Sequence, residues 1–460
     1  MILLLNVKNE FFNIKENNRI YFQPGLLRLV STIKKHGFKC RFYDFNIVNI
    51  SIDSLLRKEK PKFVLISFYS DNRNSAIELI KKIKKKKKNI KIIIGGRHAT
   101  FMFKQLLENY PIDFIVLGEG ESTIVELLKE LSKSKKVDYK KIKKIKGIAF
   151  KHGNRIFYSY REPIKNLSSL PFLDLEEFKE NFRIAHFNYK RRLIAYLTSR
   201  GCIFNCIYCK TKFFENKNNK FDIEFVLEEL KRIKKEINPK VICIEDETLN
   251  LDQRIEELSK RLINQKIKIK WWALTRVDRN VKIETFKLMK SAGCEIVCFG
   301  VESGSNKILK EIKKGITVKQ IIKAFSNAKK AGLLTEANII VGLPKEKLND
   351  IIRTVDLLKK IKPDYLSVHI GTIFPGTELY DIALKKGIIN ENDWLKEKSN
   401  FYYTENFNEL QLHLLKIKIE MKLLRFTRKP VFQMIEKIKY YFNIKKMPTY
   451  IKLFIRHTIQ

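Results

Sequence analysis

No stretch of the 460-residue chain stays apolar long enough to cross a bilayer, because lysine or asparagine interrupts every hydrophobic run before the ~18 residues a span needs. The opening segment Met1-Ile-Leu-Leu-Leu-Asn6 lacks the basic leader and cleavage site of a signal peptide, so a cytoplasmic location is expected. Cysteine is scarce: there are seven, three of them in one short string, which argues against a disulfide framework and for a reducing compartment. Acidic residues are few as well, 50 Asp and Glu against 92 Lys and Arg, a formal charge of +42. That excess raises nucleic acid as a partner, but the lysines are spread along the whole chain. Runs such as Lys84 to Lys88 fall between a helical stretch and a strand, where they read as solvated surface. No specific nucleic acid is expected; weak attraction to anionic membranes or nucleic acid stays open.

What the chain has instead is Ser199-Arg-Gly-Cys-Ile-Phe-Asn-Cys-Ile-Tyr-Cys209, a C-x3-C-x2-C string just after the apolar run Leu193 to Leu197. Three soft thiolates on one tight loop suit three irons of an iron–sulfur cubane. The fourth iron is then open, and an open coordination position is what a catalytic metal needs. Cys40, Cys243, Cys294 and Cys298 form no compact motif and are expected in the core.

Residues 1–133 alternate short, β-rich apolar runs (Ile2 to Val7, Lys39 to Asp44, Phe63 to Phe68, Lys91 to Ile94, Phe114 to Leu117) with helical stretches. The pattern predicts a flavodoxin-like (Rossmann-like) parallel sheet covered on both faces, with Gly95, Gly96, Gly118 and Gly120 at the strand ends where ligands bind. Residues 134–190 read as a linker with a β-hairpin forming a small sheet of its own, Gly147 to Lys151 and Arg155 to Tyr160 across His152-Gly153-Asn154. Residues 191–386 repeat the strand–helix pattern six times at longer spacing. That predicts a partial (β/α)6 TIM-like barrel with its active site at the C-terminal strand ends, where Glu245-Asp246-Glu247, Thr275-Arg276, Glu302 and Gly342 fall. Residues 387–460 read as a basic, mainly helical C-terminal extension. Its Met421 to Tyr441 stretch is expected to pack as a helical cap, with peripheral contact to an anionic membrane as the alternative. Trp271 and Trp272, adjacent on one strand, should point to opposite faces.

The cysteine string and its surroundings resemble the radical S-adenosylmethionine (SAM) superfamily. The strings Gln23-Pro-Gly-Leu-Leu27, Ile94-Gly-Gly-Arg-His-Ala-Thr100 and Leu117-Gly-Glu-Gly-Glu121 resemble the cobalamin-binding domain that precedes one large class of it. The resemblance implies a 4Fe-4S cluster on Cys202, Cys206 and Cys209, with SAM chelating the open iron and yielding a 5′-deoxyadenosyl radical. By position it places Tyr208 beside the adenine, Glu302 at the ribose hydroxyls, Asp246 or Glu247 at the SAM ammonium and Gly342 where the adenine lies close. The usual Gly-Gly-Glu is replaced here by Glu245-Asp-Glu247, which leaves the choice within that trio open. The cobalamin fingerprint D-x-H-x-x-G reads Asp44-Phe-Asn-Ile-Val-Asn49, without histidine or final glycine, so cobalamin is expected base-off with no histidine ligand. His98, in a loop, is expected to make a positioning hydrogen bond and is not assigned to cobalt.

The resemblance implies a C-methyltransferase acting on an unactivated carbon of a small-molecule or lipid substrate. A substrate radical would take a methyl group from methylcobalamin, with reduction by a donor such as flavodoxin or ferredoxin. The alternative within enzymes is an oxidative cyclisation or rearrangement without methyl transfer. Another class of reading, a nucleic-acid-binding or sensory protein with a structural cluster, is opposed by the intact cysteine triplet and the polar strand ends. The absence of an N-terminal cysteine triplet argues against a methylthiotransferase.

Overall fold

A computed structural model of the chain describes residues 1–8, 23–134, 136–186, 193–211, 218–397 and 401–423. Its first sheet has seven strands: β1 (Ile2–Asn6), β2 (Cys40–Asp44), β3 (Phe63–Ser67), β4 (Lys91–Gly95), β5 (Phe114–Val116), β6 (Ile148–His152) and β7 (Arg155–Ser159), in spatial order β2-β1-β3-β4-β5-β6-β7. β1 to β5 are parallel in the flavodoxin order, which sets a ligand-binding crevice beyond their C-terminal ends. Every residue of β1, β3 and β5 is buried, as expected of strands covered on both faces.

The hairpin β6–β7 corrects the expectation of a separate small sheet. β6 pairs antiparallel with β5 and buries Ile148, Ala149 and Phe150. Without it β5 would be an edge with unpaired backbone donors and acceptors. The hairpin closes that edge.

The second sheet is formed by β8 (Leu193–Tyr196), β11 (Val241–Ile244), β12 (Trp271–Thr275), β13 (Cys294–Glu302), β14 (Leu334–Val341) and β15 (Tyr365–Ile370), while β9 (Ser199–Arg200) and β10 (Asn219–Lys220) form a separate antiparallel pair beside the cysteine loop. All six barrel strands are parallel and lie in chain order, with β8 and β15 as open edges: a partial barrel. Phe299 of β13 packs against Phe286 and Phe325 on the surrounding helices, so its neighbour Cys298 faces the concave side. Trp271 is fully buried and donates from Nε1 to the Ala292 carbonyl at 2.9 Å. Trp272, half-buried, takes the opposite, concave face.

The two sheets are joined by a buried ion pair. Arg28, on the helix Pro24–Lys35, meets Glu229 of the helix Ile223–Glu236 at 2.7 Å, both side chains at most 3% exposed. Glu229 also accepts from the Leu173 amide and the Tyr196 hydroxyl, and the guanidinium lies over Phe221. Each charge is thus compensated and hydrogen-bonded, the condition for burying it at all. The C-terminal helix Glu409–Lys422 packs on β15 and β14, and the remainder of Met421 to Tyr441 beyond Leu423 lies outside the described residues. Among the described residues no helix is long and apolar enough to cross a membrane.

Candidate active site

The cysteine loop is held from several sides. Gly201 turns the chain with φ +95°, a conformation that favours glycine. The Ile207 amide donates to the Ile312 carbonyl at 3.1 Å, and the Ile207 carbonyl accepts from Leu379 at 2.9 Å. The Phe204 ring lies 3.5 Å under the Arg276 guanidinium, which is itself tied to Asp278 and to the Lys314 carbonyl. Cys206 is buried; Cys202 and Cys209 are half-buried, with Thr248 Oγ1 and Thr211 Oγ1 within 3.4 Å of their sulfurs. All seven cysteines are unbridged. Among the described residues no three Cys, His, Asp or Glu side chains converge as they would on a single ion. A cubane puts each thiolate on a different iron, so its ligands stand further apart, and three free thiols on one buttressed loop match that donor set.

Asp246, one of the two candidates for the SAM ammonium, is already engaged within the protein. Both its oxygens are occupied: Oδ1 accepts from the Thr198 and Ser199 amides at 2.6 and 3.2 Å, and Oδ2 from their hydroxyls at 2.5 and 2.7 Å. It is fully buried, burial raises its pKa, and those four donors work in the opposite direction. Asp246 is the clamp that leads β8 into the cysteine loop. Glu247, next in sequence, is exposed, accepts from Thr211 Oγ1 at 2.9 Å and stands 3.7 Å from Arg97. Of the trio it is the one with a free face toward the crevice.

Glu302 ends β13 behind a register irregularity and has φ +61°, a strained backbone for a side-chain-bearing residue. Its Oε1 accepts from Lys314 Nζ at 2.7 Å, both side chains 9% exposed, and Tyr208 Oη lies 3.4 Å from the same nitrogen. Burial disfavours the Lys314 ammonium, but the Glu302 charge outweighs it and the pKa rises. Burial and then Glu302 push the Tyr208 phenol well above its ordinary value. A Cβ on Gly300 would stand 2.6 Å from Glu302 Oε1 and 2.7 Å from Lys314 Nζ, so this glycine makes room for the pair. Lys314 was not singled out from the sequence, because one lysine in a Lys-Lys-Gly run is invisible among 92 basic residues.

Gly342, at the end of β14, adjoins the C-terminal helix. Its φ is +80°, and a Cβ there would stand 2.6 Å from the Leu412 side chain and 3.3 Å from the Tyr403 carbonyl. Its missing side chain lets the C-terminal helix approach through Leu412.

In the first sheet a cavity of about 250 Å³ runs from the strand ends between the sheet and its covering helices. Its inner wall is aliphatic, with Leu26, Leu29, Leu65, Ile93 and Ile124. Its mouth holds Gly95, Gly96, Gly118 and Gly120. Gly96, at φ +119°, would bring a Cβ to 2.6 Å from the Phe68 carbonyl, whereas a Cβ on Gly118 would project into open space. None of residues 44–49 lines the cavity; Asp44 is buried and accepts from Asn6 and Asn46. His98 is buried, within hydrogen-bond distance of Ser70 Oγ at 2.9 Å through Nδ1, and packs on Phe68 and Trp394.

The opposite wall of this cavity comes from the barrel: Leu197, Ser199, Arg200, Gly201 and Glu247. Arg200, two residues before Cys202, pairs with Glu119 at 2.6 Å and Glu121 at 2.7 Å, all three side chains at most 14% exposed. Burial raises the Glu121 pKa, but the Arg200 charge and hydrogen bond outweigh it and leave the carboxyl below its ordinary value. The glycine-rich loop of the first sheet and the cysteine loop of the second therefore grip each other. Arg200 stands inside the quoted cysteine string, yet its partners are about 80 residues away and nothing local points to them.

Two family models match the chain: Radical SAM superfamily over residues 196–358, and B12 binding domain over residues 20–128. An uncharacterized methyltransferase of Pyrococcus horikoshii is 32% identical over 358 residues, 75% of this chain and 74% of that protein. The anaerobic magnesium-protoporphyrin IX monomethyl ester cyclase of Cereibacter sphaeroides is 28% identical over 370 residues, 76% of this chain and 58% of that one. The fold is shared with the cobalamin-dependent S-adenosylmethionine radical enzyme OxsB, solved with aqua-cobalamin and S-adenosylmethionine bound, at a TM-score of 0.73 and 20% identity over 96% of this chain and 70% of that one.

Proposed function

The chain belongs to the radical SAM superfamily and carries a B12-binding domain ahead of its barrel, and on that premise we propose that it is a C-methyltransferase acting on an unactivated carbon. One observation carries the reading: the cavity of the first sheet and the cysteine loop of the second share a wall. When bound, the 4Fe-4S cluster supplies one electron to split SAM and the corrin supplies the methyl group, so the protein's task is placement.

Cys202, Cys206 and Cys209 would hold the cluster. The aliphatic slot would receive the nucleotide tail of cobalamin, and no histidine is among the residues lining it, which supports base-off binding without a protein histidine on cobalt. Glu302, pinned through Oε1 by Lys314, would offer Oε2 to the ribose hydroxyls, with Tyr208 alongside the adenine. Glu247 would meet the SAM ammonium. The substrate would be a small molecule or a lipid. A flavodoxin or ferredoxin in the cytoplasm would serve as electron donor, the basic surface favouring an acidic partner.

The similarity to a ring cyclase favours a second reading, cyclisation or rearrangement without methyl transfer. One preparation separates the two. The chain is reconstituted anaerobically with iron, sulfide and hydroxocobalamin, then given SAM and a strong reductant. Methyl transfer predicts bound cobalt together with S-adenosylhomocysteine, the product left when SAM gives up its methyl group, besides 5′-deoxyadenosine. Formation of 5′-deoxyadenosine with no S-adenosylhomocysteine would favour cyclisation, and absence of both products would overturn the enzymatic reading.

A further inference from the structure

The concave face of the barrel carries a carboxylate that none of the placements above uses. In register, Cys298 of β13 lies opposite Glu336 of β14, and Glu336 opposite Tyr365 of β15. Because Phe299 points outward to the helices, Cys298 and Glu336 point inward, two residues below Gly300 and the Glu302–Lys314 pair. Glu336 is 6% exposed. Oε1 accepts from Ser367 Oγ at 2.7 Å, and Oε2 accepts from the Cys298 thiol at 3.3 Å.

These are neutral donors, and a thiol is the weakest of the side-chain donors. Among the described residues no lysine, arginine or histidine forms an ion pair with Glu336. The buried carboxylates placed above at the cofactor side are neutralised or saturated, while Glu346, beyond the end of β14, accepts from the Gly342 and Leu343 amides through Oε2. Glu302 has Lys314, Glu119 and Glu121 share Arg200, and Asp246 has four donors. A carboxylate can accept about four hydrogen bonds, so Glu336 keeps acceptor capacity on both oxygens. A charge left without a counter-ion in a low-dielectric interior is costly, and the cost is relieved when a ligand brings the opposite charge. Exposure increases along the ladder around it: Asn338 and Ser367 are half-buried and His369 is exposed on the same face.

We propose that Glu336, with Ser367 and Cys298, forms a receptor on the barrel floor for a protonated amine of the substrate. This rests on the reading of the barrel as the reaction chamber. It narrows the substrate class to molecules with a cationic nitrogen, held at the floor while the reacting carbon sits above, toward the cysteine loop.

The test uses the full chain with its cluster reconstituted, titrated with butylamine, butanol or butyrate while tryptophan emission is followed, Trp272 lying on the same concave face. Butylamine should give a saturable change, and butanol and butyrate none. Glu336→Gln should weaken butylamine by about tenfold or more, the scale of one charge-assisted hydrogen bond. Ser367→Ala, which keeps the charge, should weaken it far less. Butanol binding as tightly as butylamine, or a Glu336→Gln protein that binds butylamine unchanged, would overturn the proposal. Iron content reports whether each variant is folded. Should Glu336→Gln fail to hold iron, Glu336→Asp must still prefer the amine over the alcohol, and losing that preference counts equally against the site. Formation of 5′-deoxyadenosine by the wild-type preparation is measured separately, so a failed amine site and a failed radical-SAM reading give different results.

Discussion

The first sheet and the barrel both present the C-terminal ends of parallel strands to a shared crevice, but they line it with different chemistry. The first sheet offers aliphatic side chains and bare backbone: Leu26, Leu65 and Ile93 along the slot, glycines at its mouth. The barrel offers charges, among them Glu302 held by Lys314 and Asp246 held by the Thr198–Ser199 turn. A slot of the first kind selects by shape, since apolar contact has no direction. A wall of the second kind selects by charge and geometry, because a misplaced buried charge is expensive. The first region should therefore be sensitive to added volume and the second to lost charge.

The largest test of that contrast is a pair of substitutions expected to act all-or-none on different cofactors. Leu65→Trp places an indole in the slot and should reduce cobalt uptake to background while iron is retained, at a folding cost of about 1–3 kcal/mol from overpacking. Cys206→Ala should do the reverse, abolishing the iron–sulfur absorbance and iron content while cobalamin still binds. Metal analysis of both proteins would break the comparison if either lost both metals.

Next in size is the link between the regions. Arg200→Met leaves Glu119 and Glu121 buried without their cation and should cost about 3–5 kcal/mol, seen as a lowered urea midpoint. Adding Glu119→Gln and Glu121→Gln should recover much of that loss. A single variant as stable as wild type would mean the two loops are held by packing alone.

The smallest effect concerns acid. Burial, and secondarily the Arg73 charge, holds the His98 pKa down to about 3, below its ordinary 6.5. The unfolded chain then binds the proton that the folded one refuses. Stability is fully present above pH 6.5 and is lost as pH falls through 6.5 toward 3, by at most about 1.4 kcal/mol per pH unit. Glu346, pushed up to about 7 by burial, acts with the opposite sign: its contribution is present below about 4.5 and lost as pH rises toward 7. The His98 contribution is therefore read as the difference between wild type and His98→Gln in urea midpoints from pH 7 to pH 5. Parallel curves for the two proteins would show that His98 does not carry it.

Much of this was legible in the chain because it is local. β-branched runs marked the strands within a few residues, and the flavodoxin-like sheet and six-stranded partial barrel follow from their spacing and the helices between them. The three cysteines and the strand-end glycines are likewise local patterns. What escaped was relational. Asp246 and Glu247 are adjacent acids after one strand, and only the fold decides that one is consumed by the Thr198–Ser199 turn and the other faces the crevice. Gly342 ends a strand in the sequence, and only the fold brings Leu412, seventy residues on, against it. The β6–β7 hairpin looked self-contained because sequence shows the turn and not the partner edge.

The sequence by itself determined the donor set for a cluster and the strand–helix order that builds two parallel sheets, since thiol spacing and hydrophobic period act over a few residues. Tertiary structure alone decided which side of each barrel strand is concave, so that Cys298 and Glu336 face inward. It alone brought Arg200 to Glu119 and Glu121, and buried Glu336 with the Ser367 hydroxyl and the Cys298 thiol as its donors. Those outcomes depend on sheet curvature and on contacts between residues far apart in the chain, and charge pairing at that range leaves no periodic trace in the order of the residues.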